Sequence, residues 1–356
     1  MFAMLEDDPD VSYQDEDDEE TALIDKAFKN SSDSLEGLPS VSAAVYNLTK
    51  NRAVSTTSLK QDWIEQTFQK RECAKFIPTN RDPTKCGCGR LKERHPEHLI
   101  AERYEEKEED QLQPHRRTSE KWSIRKHTVK SATDAHGTIE FQGGPHPYKA
   151  QYLRLSFDTD PADIMQLFEN MWQITPPKLI ITVHGGITNF DIQPKLARVF
   201  RKGLLKAART TGAWIITSGI NAGVVRHVAA ALDGQSTTPR ARSKIVCIGI
   251  TPWGMLKKTE DFIGMDKAVD YHPHSFSPKG KFAVLNNRHS YYLLVDNGSV
   301  GRYGADIILR KRLEAYIAQK QKLGGKGSRS VPVVCVVLEG GTCTIRAVLD
   351  YVTRTK

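Results

Sequence analysis

Cys73, Cys86, Cys88, His95 and His98 crowd a short stretch of sequence. Thiolate sulfur and imidazole nitrogen are the donors zinc prefers, and four of them close a tetrahedral structural site. The spacing Cys86-x-Cys88 is not the pair of CxxC knuckles of a zinc ribbon, so residue type carries this reading more than pattern does. The segment from Pro78 to Pro96 is polar and proline-bearing, with little core of its own, a lack that a bound metal compensates. The candidate ligands are Cys73, Cys86, Cys88 and His95; reduced thiols on a turn are the plainer alternative. Cys247, Cys335 and Cys343 lie in or beside apolar runs and read as small buried hydrophobes.

A second constellation is built on glycine: Val183-His184-Gly185-Gly186, Thr217-Ser218-Gly219 and Glu339-Gly340-Gly341-Thr342. Asp296-Asn297-Gly298, with Gly301, Tyr303 and Gly304, adds a fourth such loop. Glycine lets backbone approach a ligand, and a helix N-terminus beyond it offers free N–H groups to a phosphate. Glycine also serves simply to turn a strand into a helix. Four such turns on one edge favour a binding crevice. The dinucleotide GxGxxG and the P-loop GxxxxGK[ST] are both absent.

The turns need strands to carry them. Leu179-Ile-Ile-Thr-Val reads as a buried strand entering His184-Gly185-Gly186, followed by a helix through Leu196, Val199, Phe200, Leu204 and Leu205. The strand Ala213-Trp-Ile-Ile-Thr and a helix from Ala222 to Ala231 repeat the alternation. Further strands are predicted at Ile245–Ile250, Tyr291–Val295 and Val333–Leu338, with a helix over Ala305–Lys320. Asp160-Pro161 opens another helix towards Trp172, ended by Pro176-Pro177. The fold class is therefore α/β with a parallel, doubly wound sheet whose strand carboxyl ends border the crevice.

Of the 356 residues, 51 are Lys or Arg and 43 are Asp or Glu. Ten of the acids fall in residues 1–20, which hold no base, so the remainder carries +18. Such a balance suits an anionic partner or a solvated basic face. No RNP-type aromatic motif or nucleic-acid zinc finger is present, and no nucleic-acid partner is expected. The longest strongly apolar run, Val331 to Leu338, falls far short of the roughly 20 residues a membrane helix needs. The acidic start is unlike a secretory signal, so a soluble intracellular chain is expected. Three parts are read: a disordered acidic tail at 1–58, a Cys/His-bearing segment at 59–147 and the α/β domain at 148–356. Order is expected to begin near Trp63, and the polar stretch 101–130 to be a surface loop or exposed helix.

Thr210-Thr-Gly-Ala-Trp-Ile-Ile-Thr-Ser-Gly, Trp63-Ile with Lys70-Arg-Glu-Cys73, Cys86-Gly-Cys88-Gly and Val295-Asp-Asn-Gly resemble the cytosolic N-terminus of TRPM (melastatin) cation channels. The resemblance covers about residues 60–356, the first two melastatin homology regions. His184-Gly-Gly-Ile-Thr-Asn-Phe is similar to the branch that contains divalent-permeable members. What this implies is a Rossmann-like SLOG domain in a homotetrameric plasma-membrane channel permeable to divalent cations such as calcium. The domain would lie on the cytosolic face, with pore helices far downstream and the chain ending inside the domain, one helix after Leu338.

In an ADP-ribose-gated branch of that family, nucleotide occupies the crevice. Residue by residue, Asn189, Tyr303 and Arg310 match positions near that ligand, Tyr303 to stack and Arg310 to clamp a diphosphate. The turn residues His184, Gly185, Gly186, Ser218, Gly219, Gly340 and Gly341 complete the candidate site. His184 stands where that branch has threonine. SLOG enzymes that cleave N-glycosidic bonds carry PGGxGTxxE at the third turn, and Ala347 occupies the glutamate position here. No carboxylate occurs between Thr342 and Leu349, so no catalysis is expected. The alternatives are a stand-alone SLOG nucleotide-binding protein and a nucleotide hydrolase.

Overall fold

The computed structural model describes residues 56–99, 120–143, 148–233, 245–273, 282–320, 322–323 and 329–353. The tail expected to be disordered, apart from residues 56–58, lies outside the described residues, and so does 101–119 of the polar stretch 101–130. The rest of that stretch is not a surface loop or exposed helix: a helical turn, Ile124–His127, leads into a strand, and Trp122 and His127 are buried. The chain divides into two compact units, Met1–Leu59 and Lys60–Lys356, and the second holds the sheet and every candidate site residue.

Helix α1 (Thr56–Thr67) contains Trp63 and leads into β1 (Gln69–Cys73), which pairs antiparallel with β2 (Thr128–Ala132). Strands β3 (Ala135–Phe141) and β4 (Tyr148–Ser156) form an antiparallel pair. Helix α2 (Pro161–Gln166) follows, with the Asp160 carboxylate accepting from the Ala162 N–H at 2.9 Å, and continues as a π turn over Leu167–Met171. Then come β5 (Ile180–Gly185), α3 (Pro194–Thr211), β6 (Trp214–Thr217), α4 (Val224–Asp233), β7 (Val246–Pro252), β8 (Gly264–Tyr271) and β9 (Tyr291–Asp296). Helix α5 (Ala305–Lys320), the short pair β10 (Lys322–Leu323) and β11 (Arg329–Ser330), strand β12 (Val333–Leu338) and helix α6 (Thr342–Thr353) complete the order.

Eight strands make the main sheet, in the order β12-β5-β6-β7-β9-β4-β3-β8. From β12 to β4 all neighbours are parallel, as the α/β reading requires. The far edge differs: β3 runs antiparallel to β4, and β8 is parallel to β3. The link from β3 to β4 is too short for the helical crossover that parallel neighbours need.

Double winding is visible in the core. Ile180, Ile216, Ile248 and Leu293 face one layer, with Ile164, Leu167, Leu309 and Leu313 of the α2 segment and α5. Their sequence neighbours Ile181, Ile215 and Cys247 face the other, with Leu204 and Ala208 of α3 and Val225 and Val228 of α4. Alternate side chains of a strand point to opposite faces, so continuous apolar runs are what two covered faces demand. A third cluster, holding Ile139, Phe141, Tyr152, Trp253 and Phe262, packs the antiparallel edge. Cys247 is fully buried and Cys335 half-buried.

Candidate functional site

Two sites emerge, one of cysteine and histidine and one at the sheet's edge. Cys73 closes β1. Cys86 forms an isolated bridge with Pro78, and Cys88 follows it in a tight turn that Gly89 leaves with φ +91°. His95 sits just after a turn of 3-10 helix over Lys92–Arg94. These elements bring the donor atoms of Cys73, Cys86, Cys88 and His95 within 4.8 Å of one another, all four residues buried. Cys73 Sγ lies 3.9 Å from Cys86 Sγ, and Cys88 Sγ 3.3 Å from His95 Nε2. His95 Nδ1 is 3.0 Å from the Leu91 carbonyl, which can only accept, so Nδ1 carries a proton and Nε2 turns to the sulfurs. The Trp122 indole N–H donates to Cys73 Sγ at 3.3 Å and the Ile77 N–H to Cys86 Sγ at 3.4 Å. Hydrogen bonds with Cys73 and Cys88 pull the Cys86 thiol far below its ordinary pKa. His98 is exposed and stands outside the group.

This cluster abuts the loop after β9. The Val300 N–H donates to the Cys88 carbonyl at 2.7 Å, and Arg302 Nη2 to the Gly87 carbonyl at 2.6 Å. A Cβ on Gly89 would lie 2.2 Å from the Val300 oxygen. At the base of the loop, the Asp296 carboxylate is paired with buried Arg154, whose Nη1 reaches Asp134 at 2.8 Å. Asp296 Oδ1 also accepts from the Gly298 N–H at 2.8 Å.

At the sheet's edge, His184 and Gly185 end β5, Gly186 follows them, Ser218 and Gly219 follow β6, and Gly340 and Gly341 follow β12. Sheet order makes these three turns neighbours. Tyr303 stands apart, exposed on the loop after β9, with β7 between that strand and β6. Most of the glycines are pressed on by protein. A Cβ on Gly185 would lie 2.0 Å from the Leu338 oxygen, and one on Gly219 (φ +69°) 2.7 Å from the Tyr292 ring. The turn donors are also engaged: Gly186 N–H to Leu338 O at 3.2 Å, Val224 N–H to Gly186 O at 2.9 Å, and Gly223 N–H to the Asn189 side chain at 3.0 Å. The N-terminus of α4 is therefore capped from within.

Arg310, expected near the mouth, is turned inward and is 5% exposed. Its Nη2 donates to the carbonyls of Val183 and Ile216 at 3.0 and 2.8 Å, and its Nε reaches Glu314 Oε1 and Thr182 Oγ1, both at 3.1 Å. The Tyr351 hydroxyl donates to Glu314 Oε2 at 2.5 Å and lies 3.2 Å from His184 Nε2. Burial, with the Arg310 charge nearby, holds His184 down to about 3, so it is neutral at pH 7. Sequence reading missed Thr182, Glu314 and Tyr351. The i,i+4 spacing of Arg310 and Glu314 on one helix was the available signal.

Beside Asn189 lies a groove of about 410 Å³, lined by Phe190, Asp191, Arg201, Arg226 and His227. The Phe190 ring packs 4.7 Å from His227, whose Nε2 donates to the Phe190 carbonyl at 3.0 Å. Arg201 and Arg226 are cations on amphipathic helices, and nothing in their spacing marks them.

Residues 150–356 match the family model described as SLOG in TRPM. The chain is similar to a transient receptor potential channel of Caenorhabditis elegans, 62% identical over 316 residues, 83% of this chain and 15% of that protein. It is 52% identical over 295 residues to the transient receptor potential cation channel trpm of Drosophila melanogaster, 82% of this chain and 14% of that one. Transient receptor potential cation channel subfamily M member 1 of Mus musculus is 46% identical over 289 residues, 81% and 18% of the two chains. The chain thus spans between 14% and 18% of the length of these relatives.

Proposed function

The chain belongs to the family of SLOG domains in TRPM proteins, and on that premise we propose that it is an assembly and ligand-sensing module of a cation channel. The observation that carries this reading is the family match over residues 150–356, joined to identities of 46–62% with proteins named as channels. In this reading the module is N-terminal, sits on the cytosolic face of the plasma membrane, and joins identical subunits around a pore that passes divalent cations such as calcium. No described helix is long and apolar enough to cross a membrane, and conduction would belong to segments outside these 356 residues.

The ligand proposed is an anionic nucleotide such as ADP-ribose, bound weakly. Support comes from Asn189, Arg201, Arg226 and His227 around one groove at the carboxyl edge of the sheet. Occupancy would act on a pore only by favouring one channel conformation over another. Hydrolysis is not proposed: α6 carries Ala347 where nucleotide-cleaving SLOG enzymes place glutamate. Sequencing the transcript past the codon for Lys356 tests the channel reading. Six apolar spans are expected, and a stop codon immediately after Lys356 would overturn it.

A further inference from the structure

We propose that Cys73, Cys86, Cys88 and His95 bind one zinc ion, and that this ion fixes the turn on which the Asn297–Gly304 loop is seated. Zinc–sulfur bonds near 2.3 Å place two ligands of a tetrahedron about 3.8 Å apart. Cys73 Sγ and Cys86 Sγ are 3.9 Å apart, and all four donors fit within 4.8 Å. Two features already seen are what ligands require: His95 is oriented by its Nδ1 bond to Leu91, and two sulfurs accept from N–H groups of Trp122 and Ile77. Three sulfurs and one nitrogen in a closed set favour zinc, and four protein ligands leave no open position for catalysis. A disulfide is a poor alternative, since three cysteines cannot pair among themselves and 3.9 Å is far from a bond of about 2.05 Å.

The consequence reaches the sheet's edge through backbone. Cys86 and Cys88 flank Gly87, whose carbonyl accepts from Arg302, and the Cys88 carbonyl accepts from Val300. Trp122 bonds Cys73 and lies 5.4 Å beneath the Arg302 guanidinium. An ion that locks the cysteine turn therefore also locks the seat of the loop bearing Tyr303. Nothing in this inference depends on the channel reading.

Elemental analysis of the full chain, purified without a histidine tag, is expected to give close to one zinc per chain. His98→Ala should leave that ratio unchanged, and Cys86→Ser should lower it several-fold. Because Cys86→Ser can lose its fold along with its metal, the unaltered chain is also reconstituted with cobalt. The expected result is the intense visible absorption of tetrahedral thiolate-bound cobalt, bleached by added zinc. Chelation should then speed hydrogen exchange at the Val300 amide at least about tenfold while amides of β5 and β6 stay protected. A folded chain without metal, or cobalt without thiolate absorption, overturns the site. Metal loss with unchanged exchange at Val300 overturns the clamp.

Discussion

Two of the polar clusters buried among the described residues are closed in different ways. Beneath the glycine turns, Arg310 and Glu314 pair with each other, and Thr182, Tyr351 and two backbone carbonyls take up their remaining capacity. That cluster balances its own charge. Near β1, three sulfurs and an imidazole meet one another, an indole N–H and a backbone N–H. Such a set gathers negative charge once the thiols ionise, the charge that the proposed zinc would neutralise. A buried group of ionisable residues thus points to a ligand when its donors converge with like chemistry, and to a strut when opposite charges meet.

The largest effect expected from this contrast is on the self-balanced cluster. Glu314→Ala strands the Arg310 guanidinium in the core and should lower unfolding free energy by about 3–5 kcal/mol in urea titrations. The double change Arg310→Met with Glu314→Leu should recover most of it, because an apolar pair needs no counter-charge. A small loss in Glu314→Ala would show that Arg310 turns outward readily, as a ligand clamp must.

Gly89→Ala tests the other cluster where it abuts the loop after β9. A side chain at φ +91°, with its Cβ 2.2 Å from the Val300 oxygen, should cost about 2–3 kcal/mol in the same titration. An unperturbed midpoint would mean the cysteine turn and the loop are not firmly joined.

Acid should weaken the crevice side through its histidines. Burial holds both His184 and His289 down to about 3, against about 6.5 when unfolded. The unfolded chain therefore binds more protons below pH 6.5, and stability falls as pH drops from there towards 3. Between pH 7 and 5 each histidine should remove about 2 kcal/mol, and His289→Gln should reduce the slope accordingly. A slope unchanged in His289→Gln would refute the assignment.

The smallest effect on stability is expected at the groove. Arg226 is exposed, so Arg226→Ala should move the unfolding midpoint by less than about 0.5 kcal/mol. Calorimetric affinity for ADP-ribose should nonetheless fall about tenfold, the loss of one charge-assisted bond. Equal affinity in the two proteins would remove Arg226 from the ligand's path.

What was readable in advance follows the same division. The strands at 180, 214, 246, 291 and 333 and the helix Ala305–Lys320 were all signalled by apolar runs or helical spacing. The antiparallel pair β1–β2 and strands β3, β4 and β8 were not. Gly264–Tyr271 presents mostly half-covered or exposed residues, and Gly137 interrupts β3, so neither gives the continuous apolar run of a covered strand. The grouping of Cys73, Cys86, Cys88 and His95 was legible from residue type, and the fold brings their donor atoms within 4.8 Å of one another. Arg310 was not: a cation on a helix has the same letter whether it points at solvent or at Glu314. Tyr351 lies far along the chain from His184, and only the packing of α6 beside β5 joins them.

The strand order has a consequence for how the chain is made. β9, Tyr291–Asp296, lies between β4 and β7, so β4 finds its parallel neighbour only after the intervening residues have been synthesised. At ordinary rates of translation that interval is on the order of ten seconds. Throughout it, Leu153 and Leu155 of β4 lack the partners Leu293 and Val295 that register beside them. The middle of the sheet is thus zipped late, ahead of only the edge strand β12, although β4 emerges early, and the nascent polypeptide carries an unpaired apolar edge that invites chaperone capture.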